Sequence, residues 1–540
     1  MTVDSTPRES GRGIRQSMSG LHTWTGLLLG WVLYAMFLTG TVSFFKDELS
    51  QWMRPELPRL AQALDPAVVA QRVADELGRI APGATQWSLK LPDGRTNSVY
   101  AFWRLPGGGQ GARAFGEGHF DPLTGHRVEA RGTLGGDFFY RFHFQFYYMS
   151  PFWGRWLAGL AAMSMLVAII AGVITHKKIF TDFFTFRWGK GQRSWLDAHN
   201  ALSVFGLPFH VMITYTGLVT LMALYMPWGE RAAIKTPAER QQFTSELSAF
   251  IPAGKPSGEK AALAPLEAMV RQAQERWGAA NIGRVNAANP GDSTARIAVT
   301  RGDAGRVSMS PDYVEFDGVS GKLLSVHDRV GAAAETRGVL YALHLGRFSD
   351  VETRWLYFLT SLMGTAMVGT GLVMWTVKRR QKLPDPARPY FGFRLVERLN
   401  IASIAGLSIA MTGFLWANRL LPISMAERPF WEIHVFFIVW GLALLHALLR
   451  PARTAWVEQL WAAAALLALV PVLNAATTPR PLWRSLAAGD WVFAGVDLMC
   501  CALALLHAVL ALRAARHGAR GQTEAKRRRP VTIAASEAAQ

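Results

Sequence analysis

Six of the chain's 13 histidines lie at the ends or in the middle of apolar runs: His22, His143, His176, His199, His210 and His344. A single histidine at a membrane edge is most simply a helix cap or a side chain reaching for headgroups. Here the histidines recur in register. His22 stands eighteen residues before Gly40 in HTWTGLLLGWVLYAMFLTG, and His199 eighteen before Gly217 in HNALSVFGLPFHVMITYTG. His143 and His344 each precede an Arg-Trp pair (Arg155 and Trp156; Arg354 and Trp355), and Gly172 and Gly371 each follow that Trp by sixteen residues. Equivalent histidines of two copies can meet across a pseudo-two-fold axis as two imidazoles on one centre, a ligand set of haem iron. His199 and His210 are eleven residues apart, about 1100° on one continuous helix, so they share a face with a rise of about 16 Å. That spacing suits two cofactors stacked across a bilayer. The histidines have no Asp, Glu or Cys companions at helical spacing, which favours haem over zinc or a di-metal carboxylate site. Asp197, two residues from His199, reads as an N-terminal helix cap.

The elements that must carry these side chains follow from composition. The chain has 540 residues, 50% of them apolar and only 18% charged, against about 25% charged in an ordinary soluble domain. Apolar runs near 20 residues alternate with polar blocks, which excludes a single soluble enzyme and predicts a multi-span protein in a lipid bilayer. Eight spans are expected, at 21–45, 153–176, 201–226 and 355–377, then four more within 401–512. Arg12 and Arg15 and the basic stretches 177–190, 378–382, 450–453 and 513–529 flank the spans. Placed inside by the positive-inside rule, they put both termini (1–20 and 513–540) and the loops 177–200 and 378–400 in the cytoplasm. The polar blocks 46–152 and 227–354 then face the periplasm. This distribution also accounts for the net charge of +18 without nucleic acid. Cys500 and Cys501, adjacent in an apolar run, form neither a disulfide framework nor a thiolate cage.

The two outward blocks repeat one plan. Each opens with a helix-like stretch (66–80; 265–278), continues in short alternating strands, and carries a Gly-turn hairpin, HFDPLTGHRVEA or VEFDGVSGKLLSV. The expected fold is therefore a mainly α integral membrane protein. Its first four spans form a duplicated span–domain–span unit with two α+β periplasmic domains, and the rest is a C-terminal four-helix bundle. In that bundle His434, His446 and His507 do not line one face, and Glu432 and Asp497 read as single polar residues near span ends. The basic tail 513–540 is expected to be disordered. LPGGGQG, from Leu105 to Gly111, lies between strands and reads as a hairpin loop. No nucleotide-binding motif follows a strand and opens a helix, so reductant must come from a partner protein or a membrane quinol.

The repeat resembles the PepSY-associated transmembrane family of bacterial inner-membrane proteins. LHTWTGLLLGWVLYAMFLTG is similar to that family's first-span motif, and DPLTG and DGVSG to the turn of the PepSY outer domain. The segment from Gly172 to Val219 resembles the branch associated with iron uptake, and the likeness covers about residues 15 to 380. Members of that branch include haem-containing ferrisiderophore reductases. The resemblance implies an inner-membrane enzyme that passes electrons outward to a ferric siderophore or other ferric chelate, through two haem b groups. Its implied ligands are His22, His176 and His199 toward the cytoplasm and His143, His210 and His344 toward the periplasm. Trp103, Arg104, Arg141 and Tyr148 are the expected contacts for an anionic aromatic chelate. The donor is expected to be a cytoplasmic reductase or a quinol. The terminal bundle is absent from the minimal family pattern.

Overall fold

The computed structural model describes residues 13–60, 62–106, 115–176, 187, 192–248, 254–278, 281–386 and 388–527. Most of the 177–190 basic stretch, the glycines of LPGGGQG and the last residues of the tail (528–540) lie outside them. The chain divides into two units, Met1–Trp375 and Thr376–Gln540.

In the first unit, α1 (Ile14–Leu28) and α2 (Gly30–Ser43) form one apolar stretch bent by 65°. Then come α3 (Lys46–Trp52), α4 (Pro66–Ile80), strands β1 (Gln86–Lys90), β2 (Val99–Arg104), β3 (Phe115–Phe120) and β4 (Arg127–Val128), α5 (Gly136–Gln145) and the long α6 (Pro151–Thr175). The second copy follows the same order. Its α7 (Gln192–Phe205) and α8 (Leu207–Thr220) are bent by 68°, and the short helices α9 (Met222–Tyr225), α10 (Trp228–Ala233) and α11 (Pro237–Ser248) lead to α12 (Leu266–Trp277). Strands β5 (Ile282–Ala288), β6 (Arg296–Arg301), β7 (Tyr313–Asp317) and β8 (Leu323–His327) precede α13 (Ala332–Leu345) and α14 (Val351–Arg380).

The two bends correct the expectation of straight first and third spans. In the second copy the cause is local: Pro208 has no N–H to give and its ring would clash with the carbonyl four residues back, so a new helix begins there. In the first copy Gly30 opens α2, and a Cβ there would come 2.7 Å from the Leu372 side chain. The break at Gly206 also removes the single helical face on which His199 and His210 were expected.

The outer blocks differ more from expectation. They are not two separate α+β domains but share one antiparallel eight-stranded sheet, in the order β4-β3-β2-β1-β5-β6-β7-β8. The seam pairs β1 with β5, Leu89 opposite Val285, and Ser88 donates to Asn286 Oδ1 at 2.8 Å across it. Each block alone would expose β1 or β5 as an unpaired edge, and joining them removes both edges. One face of the sheet is apolar, with Trp87, Leu89, Val99, Ala101, Phe120, Val285, Ile297, Val299, Val314 and Phe316 buried. It is covered by α4 and α12, whose buried faces repeat at helical spacing (Val69, Val73, Leu77; Leu266, Met269, Val270, Ala273). Asp65 caps α4 by accepting from Ala67 N at 3.1 Å. Both hairpin turns close as their sequences predict. Asp121 accepts from Leu123 N and Asp317 from Ser320 N, and Gly125 and Gly321 take positive φ of 77° and 70°.

The second unit holds α15 (Phe391–Leu420), α16 (Arg428–Leu449), α17 (Ala452–Thr477), the short α18 (Leu482–Ala487) and α19 (Trp491–Arg527). Four of these are long, as expected. Among the described residues six single helices are long and apolar enough to span a membrane, or eight spans if each bent pair is one. Two readings of this region change. The last helix runs through Arg527, past residue 513 where the tail was expected to begin. Glu432 and Asp497 are not solitary either. Glu432 accepts from Asn418 at 2.8 Å and pairs with Arg428 at 2.5 Å, and Asn474 joins Arg419 (3.1 Å) to Asp497 (3.0 Å), all fully or almost fully buried.

Candidate functional site

The repeat brings its histidines together in two pairs. The ring centres of His22 and His199 lie 6.2 Å apart with planes at 72°, and those of His143 and His344 lie 6.2 Å apart at 30°. Each pair takes one member from each copy.

Every one of the four rings is anchored through Nδ1 to its own copy. His22 Nδ1 bonds Ala168 O at 2.7 Å and His199 Nδ1 bonds Met367 O at 2.9 Å. His143 Nδ1 bonds Met36 O at 2.6 Å, and His344 Nδ1 meets Thr216 Oγ1 at 3.1 Å. A carbonyl accepts only, so in three of the four the proton sits on Nδ1 and Nε2 keeps its lone pair. Among the described residues no hydrogen-bond partner faces Nε2 of these four rings. Anchoring one ring nitrogen to a carbonyl is how proteins orient a metal-ligating imidazole.

The recurring glycines are the seats of these rings. A Cβ on Gly40 would come 2.8 Å from the His143 ring, and one on Gly217 would come 2.9 Å from His344. On Gly172 and Gly371 it would come 3.2 Å from His22 and 3.3 Å from His199. At Gly40 and Gly217 a Cβ would force the ring to shift, and at Gly172 and Gly371 the fit is tight.

The spacing suits one metal between two imidazoles. Nitrogens at about 2.0 Å on either side, each about 1.1 Å from its ring centre, set the centres about 6.2 Å apart. Among the described residues no group of three or more His, Cys, Asp and Glu could hold a metal ion, so each pair offers two ligands only. Such a set fits a centre whose other positions are filled by a macrocycle.

The other two histidines stand apart. His176, at the end of α6, meets Asn200 Nδ2 through Nε2 at 2.9 Å. His210 is 1% exposed, Nδ1 has no partner, and Nε2 lies 3.4 Å from Thr360 O. Asp197 is no helix cap. It lies inside α7, buried, and accepts from the Arg187 backbone N–H and guanidinium at 2.9 to 3.0 Å.

Charged groups tie down the helices that carry the outer-block pair. Lys46 bridges Asp47 (3.1 Å) and Asp137 (2.9 Å), joining α3 to α5. Burial opposes the charge on Asp47, but Lys46 prevails and holds its carboxyl down at about 2. Arg95, in the β1–β2 hairpin, donates to Arg347 O (3.0 Å) and Ser349 O (2.9 Å), just past the α13 that bears His344. These bonds pin the segment that follows the helix. Arg354 pairs with Glu48, whose carboxyl is pushed up by burial in spite of that partner.

The four expected chelate contacts separate. Trp103 is 7% exposed and on the core face, beneath Arg127 at 5.8 Å from its ring, because strand alternation turns it with Val99 and Ala101. Arg104, Arg141 and Tyr148 are exposed. What the sequence reading missed were the ring anchors, since Met36, Ala168 and Met367 act through backbone carbonyls that any residue supplies.

A duplicated bundle with a shared outer sheet and two cross-copy histidine pairs defines a multi-pass membrane protein of one architecture. The chain belongs to the PepSY-associated TM region family, whose model matches residues 19–378. It is also similar to a Pseudomonas aeruginosa protein described as "Uncharacterized protein PA4219", at 26% identity over 383 residues, 67% of this chain and 92% of the relative. The family match covers the duplicated region.

Proposed function

We propose that the chain is a haem-bearing oxidoreductase of the bacterial inner membrane that carries electrons outward to a ferric siderophore or other ferric chelate. The observation that carries this reading is the pair of 6.2 Å imidazole separations, with anchored Nδ1 atoms. His22 and His199 would hold one haem b, and His143 and His344 the other. A haem held by two imidazoles supplies one-electron transfer with no open iron position.

The chain's own residues do the rest. The carbonyls of Met36, Ala168 and Met367 fix the tautomer that presents Nε2, and the four seat glycines let the rings stand against the helices. His143 and His344 are held neutral by burial, as ligation requires. Arg104, Arg141 and Tyr148 are the exposed groups of the outer blocks that remain as contacts for the chelate. Reduction to Fe(II) weakens the grip of hard oxygen ligands and frees the metal for import. The donor is a cytoplasmic reductase or a quinol. Basic residues at the span ends support cytoplasmic termini and periplasmic outer blocks.

The test is an optical spectrum of purified protein, oxidised and dithionite-reduced, with a haemochrome assay. Sharp reduced bands and about two haems per chain are expected. Protein that stays colourless after expression with added haem would overturn the reading.

One observation favours a second reading, a siderophore or solute transporter: both copies break a span at the same place, Leu29 and Gly206. Discontinuous spans in matched positions of a repeat are a transporter feature. Against it, the cluster Leu33, Met36, Ala158, Ala161, Met165 and Met367 packed beside the breaks is apolar. Uptake of labelled chelate that persists in His22→Ala and His344→Ala cells would favour it.

A further inference from the structure

His210 has no counterpart in the first copy, where Leu33 stands in its place. It lies between the two pairs. Along α14, Gly364 meets His210 while Gly371 seats His199, seven residues or about 10 Å away. Along α8, Gly217, the seat of His344, is again seven residues from His210, about 10 Å on. The imidazole is buried, edge-on to Phe37 at 6.2 Å, with Nδ1 unpartnered. A neutral ring in that position leaves one protonation site unused. Intramembrane ionisable groups of this kind mark proton relays.

A polar line on one face of α14 runs from the sheet-bearing end to the level of His210, which packs about 100° further around the same helix, at Thr360 and Gly364. Arg354, Ser361 and Thr365 are seven and four residues apart, so they lie within about 40° of one another around the helix. Arg354 pairs with Glu48, and Glu48 Oε2 is buried without a partner. Ser361 Oγ meets Thr41 Oγ1 at 2.8 Å, and Thr41 Oγ1 meets Thr365 Oγ1 at 3.4 Å, all three buried. Hydroxyls both donate and accept, so this trio can pass a proton. Thr365 adjoins Gly364, whose Cβ position is 3.1 Å from His210 Nε2.

We propose that His210 is the redox-linked proton acceptor of the protein. It takes up one proton as one electron from the donor settles at the histidine pairs, and gives it back when that electron leaves to the ferric acceptor. The proton enters from the sheet-bearing side by Glu48 and the Ser361–Thr41–Thr365 hydroxyls, with water completing the line. The inference rests on the haem reading above.

The physical reason is charge. An electron added to a buried site of low dielectric is costly unless a positive charge arrives nearby. Among the described residues His210 is the one imidazole between the pairs that is neither paired with another histidine nor anchored through Nδ1. Around it α2 presents Phe37, α8 presents Phe209, and α14 presents Thr360 and Gly364. None of these is charged, so nothing else there can take the proton. Glu48 faces Arg354, Asp47 and Arg95, and burial lifts its carboxyl, which suits a group that loads and unloads protons.

The experiment is a redox titration of the purified, haem-loaded full chain at several pH values. In the wild type a midpoint potential should fall by about 59 mV for each tenfold fall in proton concentration. In His210→Gln, with the same haem content, that potential should become independent of pH. A pH-independent wild type, or a slope that survives in His210→Gln, overturns the proposal. Absence of haem from the wild type is the separate failure of the reading it rests on. Thr41→Val with Ser361→Ala should keep the slope and slow reduction several-fold, more so in D2O. Unchanged rates in that variant overturn the hydroxyl route.

Discussion

The two units bury polar side chains in opposite ways. In the terminal bundle Asn418, Glu432, Arg428, Arg419, Asn474 and Asp497 bond one another into one connected network. In the duplicated unit the four histidines are held through Nδ1, three on backbone carbonyls and His344 on Thr216 Oγ1, and each ring stands beside a ring of the other copy. Both are intramembrane polar clusters that alone would signal function. The difference is satisfaction. A connected network fastens helices, whereas a half-satisfied symmetric pair is an offer to a third party.

That contrast can be broken experimentally, most sharply at the pairs themselves. His199→Ala should take the bound haem from about two per chain to about one, by haemochrome assay. Full wild-type content would remove the pair from the argument. Gly40→Val puts side-chain atoms where the His143 ring lies. It should cost most of the second haem while far-ultraviolet circular dichroism is unchanged, a loss the bundle cannot mimic. Arg428→Ala strands Glu432 in the bundle and should cost about 3 to 5 kcal/mol of stability. Thermal unfolding should show that loss with the haem spectrum intact, and a lost spectrum would mean the bundle is part of the site.

The smallest effect concerns the shared sheet. Burial, then the Arg54 charge, pushes the His119 imidazole down from 6.5 to about 3. The unfolded chain takes that proton near 6.5 and the folded chain only near 3. Stability present above 6.5 is therefore lost progressively as pH falls toward 3. His119→Gln should flatten that part of the profile, measured by hydrogen exchange of β2 and β3. An unchanged profile would assign the acid sensitivity elsewhere.

Much of this was legible in the sequence because it was written twice. The offset of eighteen from His22 to Gly40 and from His199 to Gly217 marks the histidines of one pair and the seats of the other. Helix α4 and both hairpins follow from periodicity and turn chemistry. The break at Gly206 was also legible, since Pro208 cannot sit inside a helix, yet an unbroken apolar run outweighed it. The β1–β5 seam was not. Strand pairing between distant segments leaves no local mark, and either block read alone looks complete. The connected network of the bundle was hidden for the same reason, because Glu432 and Asp497 find their partners only in three dimensions.

The seam and the pairs together say something about ancestry. Each copy orients its own two imidazoles on its own polar groups, yet neither copy holds a pair. A single-copy forebear would have carried two half-sites and a bare strand edge, and could have completed all three only by meeting its twin. Fusion of two such genes would have turned a concentration-dependent encounter into a permanent one. It also freed the halves to diverge, and a histidine at 210 with no echo at 33 is what such freedom produces.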